Sequence, residues 1–117
     1  MSMQTGFGWV QIGGERFEND IIVHIDGTIT KRQKKLSKDF KSEYGHTPLS
    51  ERELDFLGKE EPEVVIVGTG QNGDLPVTSK AKKILDRYGA LYLPTPEALE
   101  TMSVEKRRYV AIVHVTC

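Results

Sequence analysis

The sequence predicts an α/β fold preceded by an antiparallel β element. Three observations carry that expectation. The first third holds strand-like runs split by turn residues, "GWVQI", "RFENDIIVHI" and "TITKR". The last half alternates short apolar runs with helical ones, from "EVVIVG" through "TSKAKKILDRYG" to "ALYL" and "RYVAIVHVTC". The runs "EVVIVG" and "ALYL" are continuously apolar, as strands buried on both faces are.

Each element has its own signal. "GGE" separates the first two strand runs, and Asp26-Gly27 reads as a type I′ hairpin turn, where glycine tolerates the positive φ. Gln33 to Glu63 is polar and partly helical. Within it "LSERELDFLG" predicts a two-turn helix: Ser50 caps the amide of Glu53, Glu53 reaches back, Leu49 and Leu54 form a hydrophobic staple, and Gly58 stops it. "TSKAKKILDRYG" is a helix capped by Thr78 or Ser79, with Ala81, Ile84, Leu85 and Tyr88 on one stripe and Gly89 as its stop. Thr95 and Pro96 open another helix, whose Ala98, Leu99 and Met102 share a face. The strands Val64–Val67, Leu91–Leu93 and Val110–His114 are expected in one mixed sheet, with a right-handed parallel crossover between the first two.

Gly68, Gly70 and Gly73 stand in the spacing G-x-G-x-x-G directly after an apolar run. A dinucleotide site starts its helix inside this motif, so that the helix N-terminus meets the pyrophosphate. Here Asp74-Leu75-Pro76-Val77 intervene. The acid expected about twenty residues on is replaced by Leu93-Pro94. A phosphate loop fares no better, because Asp74 and Leu75 occupy the positions that need Lys and Ser/Thr. No nucleotide or other cofactor is therefore expected. The loop is either a turn that re-aims the chain or a pocket for a small anion or polar ligand. The pocket would be built from Gly68, Thr69, Gly70, Gln71, Asn72 and Gly73 with Thr78 and Lys80 at the helix start. His114 joins it if its strand is central.

Composition narrows the function classes. The chain has 117 residues, enough for one domain over 1–117. Sixteen Lys and Arg against 17 Asp and Glu leave a net charge of −1, which argues against nucleic-acid and anionic-membrane binding. The longest apolar run, "YVAIV", is far too short to span a membrane. "MSMQTGFGWVQ" has no signal-peptide pattern, and the single cysteine, Cys117, fits a reducing compartment, so a cytoplasmic protein is expected. Abundant charge with few Asn and Gln hints at a thermophilic source. In an extended "HVTC", His114 and Thr116 share a face and Cys117 takes the other, so no His–Cys dyad is expected and Cys117 has no catalytic role. His24 and His46 stand apart in sequence, and no metal set is expected. Lys31-Arg32, Lys34-Lys35, Lys38 and Lys41 form a basic segment, and Glu51 to Glu63 an acidic one. Both read as solvated surface able to steer a protein partner or self-association.

"FGWVQIGGERFENDIIVHIDG", "VVIVGTGQ", "LPTPEAL" and the closing "HVTC" together resemble the Mth-like small-domain family of unknown function. Its relatives include the adipogenesis-associated Mth-like-domain protein and a mitochondrial respiratory complex I assembly factor. The resemblance covers nearly the whole chain. It implies a three-layer α/β fold, with a mixed central β-sheet, flanking helices and an N-terminal antiparallel β element. It implies no catalytic residues. The function expected first is a non-enzymatic protein-interaction or assembly-factor-like module. The alternative is a binder of a small polar or anionic ligand, or an enzyme, using the crevice at the Gly68–Gly73 loop.

Overall fold

Two sheets organise the chain, whose residues 2–117 are described by a computed structural model. The smaller sheet is antiparallel: β1 (Met3–Gly6), β2 (Trp9–Ile12) and β3 (Glu15–Phe17) follow one another in order. The larger sheet contains β4 (Ile21–Val23), β5 (Ile29–Lys31), β6 (Val64–Thr69), β7 (Leu91–Leu93) and β8 (Tyr109–His114). Their order is β5-β4-β8-β6-β7. β6 runs parallel to both β7 and β8, while β4 is antiparallel to β5 and β8, so the sheet is mixed. Helices α1 (Lys41–Tyr44), α2 (Leu57–Glu60), α3 (Ser79–Asp86) and α4 (Thr95–Val104) complete the fold.

The continuous apolar runs explain why β6 and β8 are central. Each must bury both faces, and the two faces sort alternate residues into different layers. Val65, Val67, Val110 and Ile112 pack with Ala81 and Leu85 of α3 and with Leu49, Leu54 and Leu57. Ile66, Ala111 and Val113 pack with Ala98, Leu99 and Met102 of α4 and with Val10 and Ile12 of the small sheet. The result is three layers with the mixed sheet in the middle. α4 buries the face Ala98, Leu99 and Met102, and α3 buries Ala81 and Leu85 of its predicted stripe, with Ile84 half-buried and Tyr88 just beyond the helix end.

Four local expectations are corrected. β7, from "ALYL", is a half-buried edge strand and not one buried on both faces. "RFENDIIVHI" is two strands in two sheets, because the chain breaks at Glu18–Asp20 and the Asp20 side chain is committed to the core. The β4–β5 connection is not type I′, which needs two positive φ values: only Gly27 has one, at 88°. Gly27 N donates to His24 O and His24 N to Thr28 O, closing a longer loop. "LSERELDFLG" is a 3₁₀ turn at Glu51–Glu53 followed by α2, and Gly58 lies inside α2. Ser50 accepts from Arg52 N and not from Glu53 N, and Glu53 does not reach back. Its carboxylate has a stronger partner elsewhere.

Candidate functional site

The glycine loop follows β6 at the carboxyl end of the sheet, where ligands of open α/β sheets gather. Here the loop holds the residues that follow β8. Gln71 N donates to Thr116 O at 2.7 Å, and Asn72 N and Asp74 N donate to Cys117 O at 3.3 and 2.9 Å. The Gln71 amide side chain adds bonds to Thr5 Oγ1 and Val115 O. A Cβ on Gly70, whose φ is 102°, would overlap the main chain of Cys117. Glycine is required here by close approach as well as torsion. Gly68 admits α4 in the same way, since its Cβ would lie 3.0 Å from Thr95 Oγ1. That hydroxyl accepts from Gly70 N and donates to His114 O, so one threonine ties β8, the loop and α4 together.

Beside the loop lies a buried charged network. Arg32 follows β5 and is 2% exposed. Its Nε donates to Glu53 Oε1 at 2.7 Å and its Nη2 to Glu53 Oε2 at 3.0 Å. Nη1 donates to Asp20 Oδ2 at 2.8 Å, and Nη2 also reaches Pro48 O. An ionised carboxylate only accepts, so the Ser37 hydroxyl donates to Glu53 and Ser50 must donate to Ser37. Asp20 Oδ1 accepts from Val115 N, and Oδ2 is 2.8 Å from His114 Nδ1. On the far side of the imidazole, His114 Nε2 is 3.2 Å from Thr116 Oγ1.

Burial opposes a charge on Asp20, but the hydrogen bond and charge of His114, the Val115 amide and the Arg32 guanidinium outweigh it. Together they hold the carboxyl at about 2, below its ordinary 3.8. Burial likewise opposes the Arg32 charge, and the bonds and charges of Glu53 and Asp20 raise its pKa above the ordinary value. No buried side-chain nitrogen or oxygen lacks a partner among the described residues. The network is therefore a satisfied one, and it fixes the His114 ring in place.

His114 and Thr116 open onto a cavity of about 140 Å³ lined also by Lys34, Lys41, His46, Thr47, Asp74 and Cys117. Lys34 begins the 3₁₀ run Lys34–Phe40, Lys41 begins α1, and His46 and Thr47 follow its glycine stop. No carboxylate forms an ion pair with Lys34 or Lys41 among the described residues. Asp74 is the one side-chain carboxylate in the lining. Among the described residues, no three His, Cys, Asp or Glu gather as metal ligands would.

The predicted site residues separate into four places. Thr69, Asn72 and Gly73 line a wide groove on the other side of the loop, with Lys82 and Tyr92. Gly68, Gly70 and Gln71 hold α4 and the final residues. Thr78 is the cap of α3, accepting from Ala81 N and donating to Glu51 Oε1, and Lys80 is exposed outside both clefts. His114 is central and buried, in contact with the network. Cys117 lines the same cleft as His114 and Thr116, because the loop bends the chain away from strand alternation after β8. Sequence reasoning missed Asp20, Arg32, Ser37 and Glu53. Arg32 and Glu53 are core and not solvated surface, which corrects the reading of the two charged segments. The one available signal was an acid directly before the apolar run "IIV".

A family model described as protein of unknown function (DUF498/DUF598) matches residues 3–114. The crystal structure of conserved hypothetical protein PH1505 from Pyrococcus horikoshii is 35% identical with a TM-score of 0.86, and the alignment covers all of both chains. A structure named MT938 is 32% identical with a TM-score of 0.67, over 99% of this chain and 100% of that one. A solution structure of a Bordetella pertussis protein, described as an Mth938-like domain, shares the fold at 22% identity and a TM-score of 0.54, over 94% and 82% of the two chains. No curated protein matches. These likenesses agree with the Mth-like resemblance read from the sequence.

Proposed function

The chain belongs to the DUF498/DUF598 family of unknown function, and from that premise we propose that it binds a small anion in the cleft between residues 74–76, just past the glycine loop, and the Lys34–Thr47 segment. One observation carries this reading: Lys34, Lys41, His46 and His114 converge on a single cavity of about 140 Å³. Its size lies below the roughly 300–1,000 Å³ of pockets for drug-sized ligands, which favours an anion the size of phosphate or a short carboxylate over a nucleotide. The Gly68–Gly73 loop is followed directly by Asp74, Leu75 and Pro76, which form part of the wall. The amides from Gln71 to Asp74 already bond within the chain, so recognition falls to side chains.

Calorimetric titration with inorganic phosphate, acetate, NAD and ATP tests the reading. Saturable phosphate or acetate binding that weakens with salt and drops at least about tenfold in Lys34→Ala/Lys41→Ala is expected. Absence of binding, or binding indifferent to the double substitution, overturns it.

A protein-interaction role is the second reading, favoured by the exposure of three large apolar side chains, Phe7 at 65%, Leu36 at 43% and Val104 at 73%. Sedimentation over a range of concentrations, with Phe7→Ser and Val104→Ser, separates self-association from a monomeric ligand binder.

A further inference from the structure

The cleft has a reactive edge as well as a charged lining. Asp20 Oδ2, His114 and Thr116 Oγ1 form a continuous chain, with 2.8 Å between carboxylate and Nδ1 and 3.2 Å between Nε2 and the hydroxyl. Asp20 accepts a guanidinium N–H and a backbone amide besides the imidazole, so it stands as an acceptor on every side. The Nδ1 position must then carry the hydrogen of the His114–Asp20 bond. With the ring in its neutral form, Nε2 is left as the acceptor for the Thr116 hydroxyl. Nucleophile, base and orienting carboxylate are thus in the roles that activated hydroxyls use elsewhere on unrelated folds.

The main chain around this trio is held on both sides. Val115 N is bonded to Asp20 and Val115 O to Gly8 N, while Thr116 O accepts from Gln71 N. The hydroxyl is therefore presented by a fixed backbone, and His114 by a packed strand. Fixed geometry of this kind lowers the cost of reaching a reactive arrangement.

We propose that Thr116, His114 and Asp20 form a nucleophile–base–orienting triad that transfers the acyl group of a small acyl phosphate, first to Thr116 and then to water. The proposal rests on the cleft being an anion site. Lys34, Lys41 and His46 line the cavity that Thr116 also lines, and they suit the phosphate end and the oxyanion of the substrate. In the first step Thr116 Oγ attacks the acyl carbon, its proton passes to His114 Nε2, and the carbonyl electron pair moves to oxygen. Collapse re-forms the carbonyl and breaks the bond to the phosphate oxygen, which leaves as inorganic phosphate with the proton from Nε2. Water then attacks the ester with Nε2 as base, releasing the carboxylic acid and restoring the hydroxyl. The sum is acyl phosphate and water giving carboxylic acid and phosphate, with no change of oxidation state.

The test uses the full chain with acetyl phosphate, following phosphate release and locating acetyl groups by tandem mass spectrometry after acid quench. Expected is turnover with acetyl on Thr116, kept by Thr116→Ser and reduced about a hundredfold or more in Thr116→Val and His114→Gln. Circular dichroism confirms that each variant folds, and the two Thr116 variants decide the matter if His114→Gln does not. Acetyl confined to lysines or Cys117, unchanged by Thr116→Val, overturns the triad. Phosphate binding by the wild-type chain without acetylation of Thr116 also overturns it and leaves the anion site standing. Loss of both observations removes both readings.

Discussion

Arg32 grips Glu53 with two nitrogens, Nε and Nη2, across a part of the core that neither side chain leaves. The two residues belong to segments of opposite charge that surface chemistry alone would place in water. Pairing them draws the chain after β5 against the 3₁₀ turn at Glu51–Glu53. Arg32 then reaches Asp20, and through it His114.

Removing the guanidinium should leave the buried Glu53 carboxylate without its counter-charge and take one partner from Asp20. Arg32→Met is expected to destabilise the protein by about 3–5 kcal/mol. Adding Glu53→Leu to that variant should recover part of the loss. Urea unfolding of both singles and the double measures the coupling. Additive losses would contradict the pairing.

The Asp20 carboxyl sets an acid limit. Its pKa in the fold is about 2 against an ordinary 3.8, so folding favours the ionised form. The stabilisation is fully present above the ordinary value and is lost as pH falls through 3.8 toward about 2. A shift of this size corresponds to about 2 kcal/mol. Denaturation measured from pH 6 to pH 2 should show that loss, and Asp20→Asn should flatten it while lowering stability at neutral pH.

Glycine substitutions should separate close approach from torsion. Gly70→Ala meets the Cys117 main chain at a φ of 102° and should cost about 2–4 kcal/mol. Gly73→Ala has a φ of 76° with its nearest atoms 3.6 Å away, and about 1–2 kcal/mol is expected. Gly14→Ala meets nothing within 4 Å at an ordinary φ and should stay within about 0.5 kcal/mol of wild type. Thermal melts rank the three.

Thr95 should behave as a clasp between the loop and β8, since its side chain makes no cap bond to α4. Thr95→Val removes the acceptor of Gly70 N and the donor to His114 O, both buried, at a cost of about 1–3 kcal/mol. Thr95→Ser keeps both bonds and should cost less. Hydrogen exchange at the Gly70 amide reads the effect directly: faster exchange in the valine variant than in the serine one is expected.

Local pattern determined much of this protein. "VVIV" and "YVAIV" became β6 and β8 because a continuous β-branched run can be satisfied only between two packed layers. The stripe Ala81–Leu85 and the face Ala98–Leu99–Met102 became α3 and α4 for the same reason, a periodicity read within one or two turns. The lateness of α3 after Gly73, with no acid at Leu93-Pro94, was legible too. Tertiary structure alone decided what the glycine loop faces, since Gly70 and Cys117 meet from positions far apart in the chain. It likewise decided that Glu53 turns from its own helix start to Arg32, because a buried guanidinium offers two charge-assisted bonds where a free backbone amide offers one weaker bond. Asp20 and His114 are 94 positions apart. No spacing rule joins them, and only the pairing of β4 with β8 lays one beside the other.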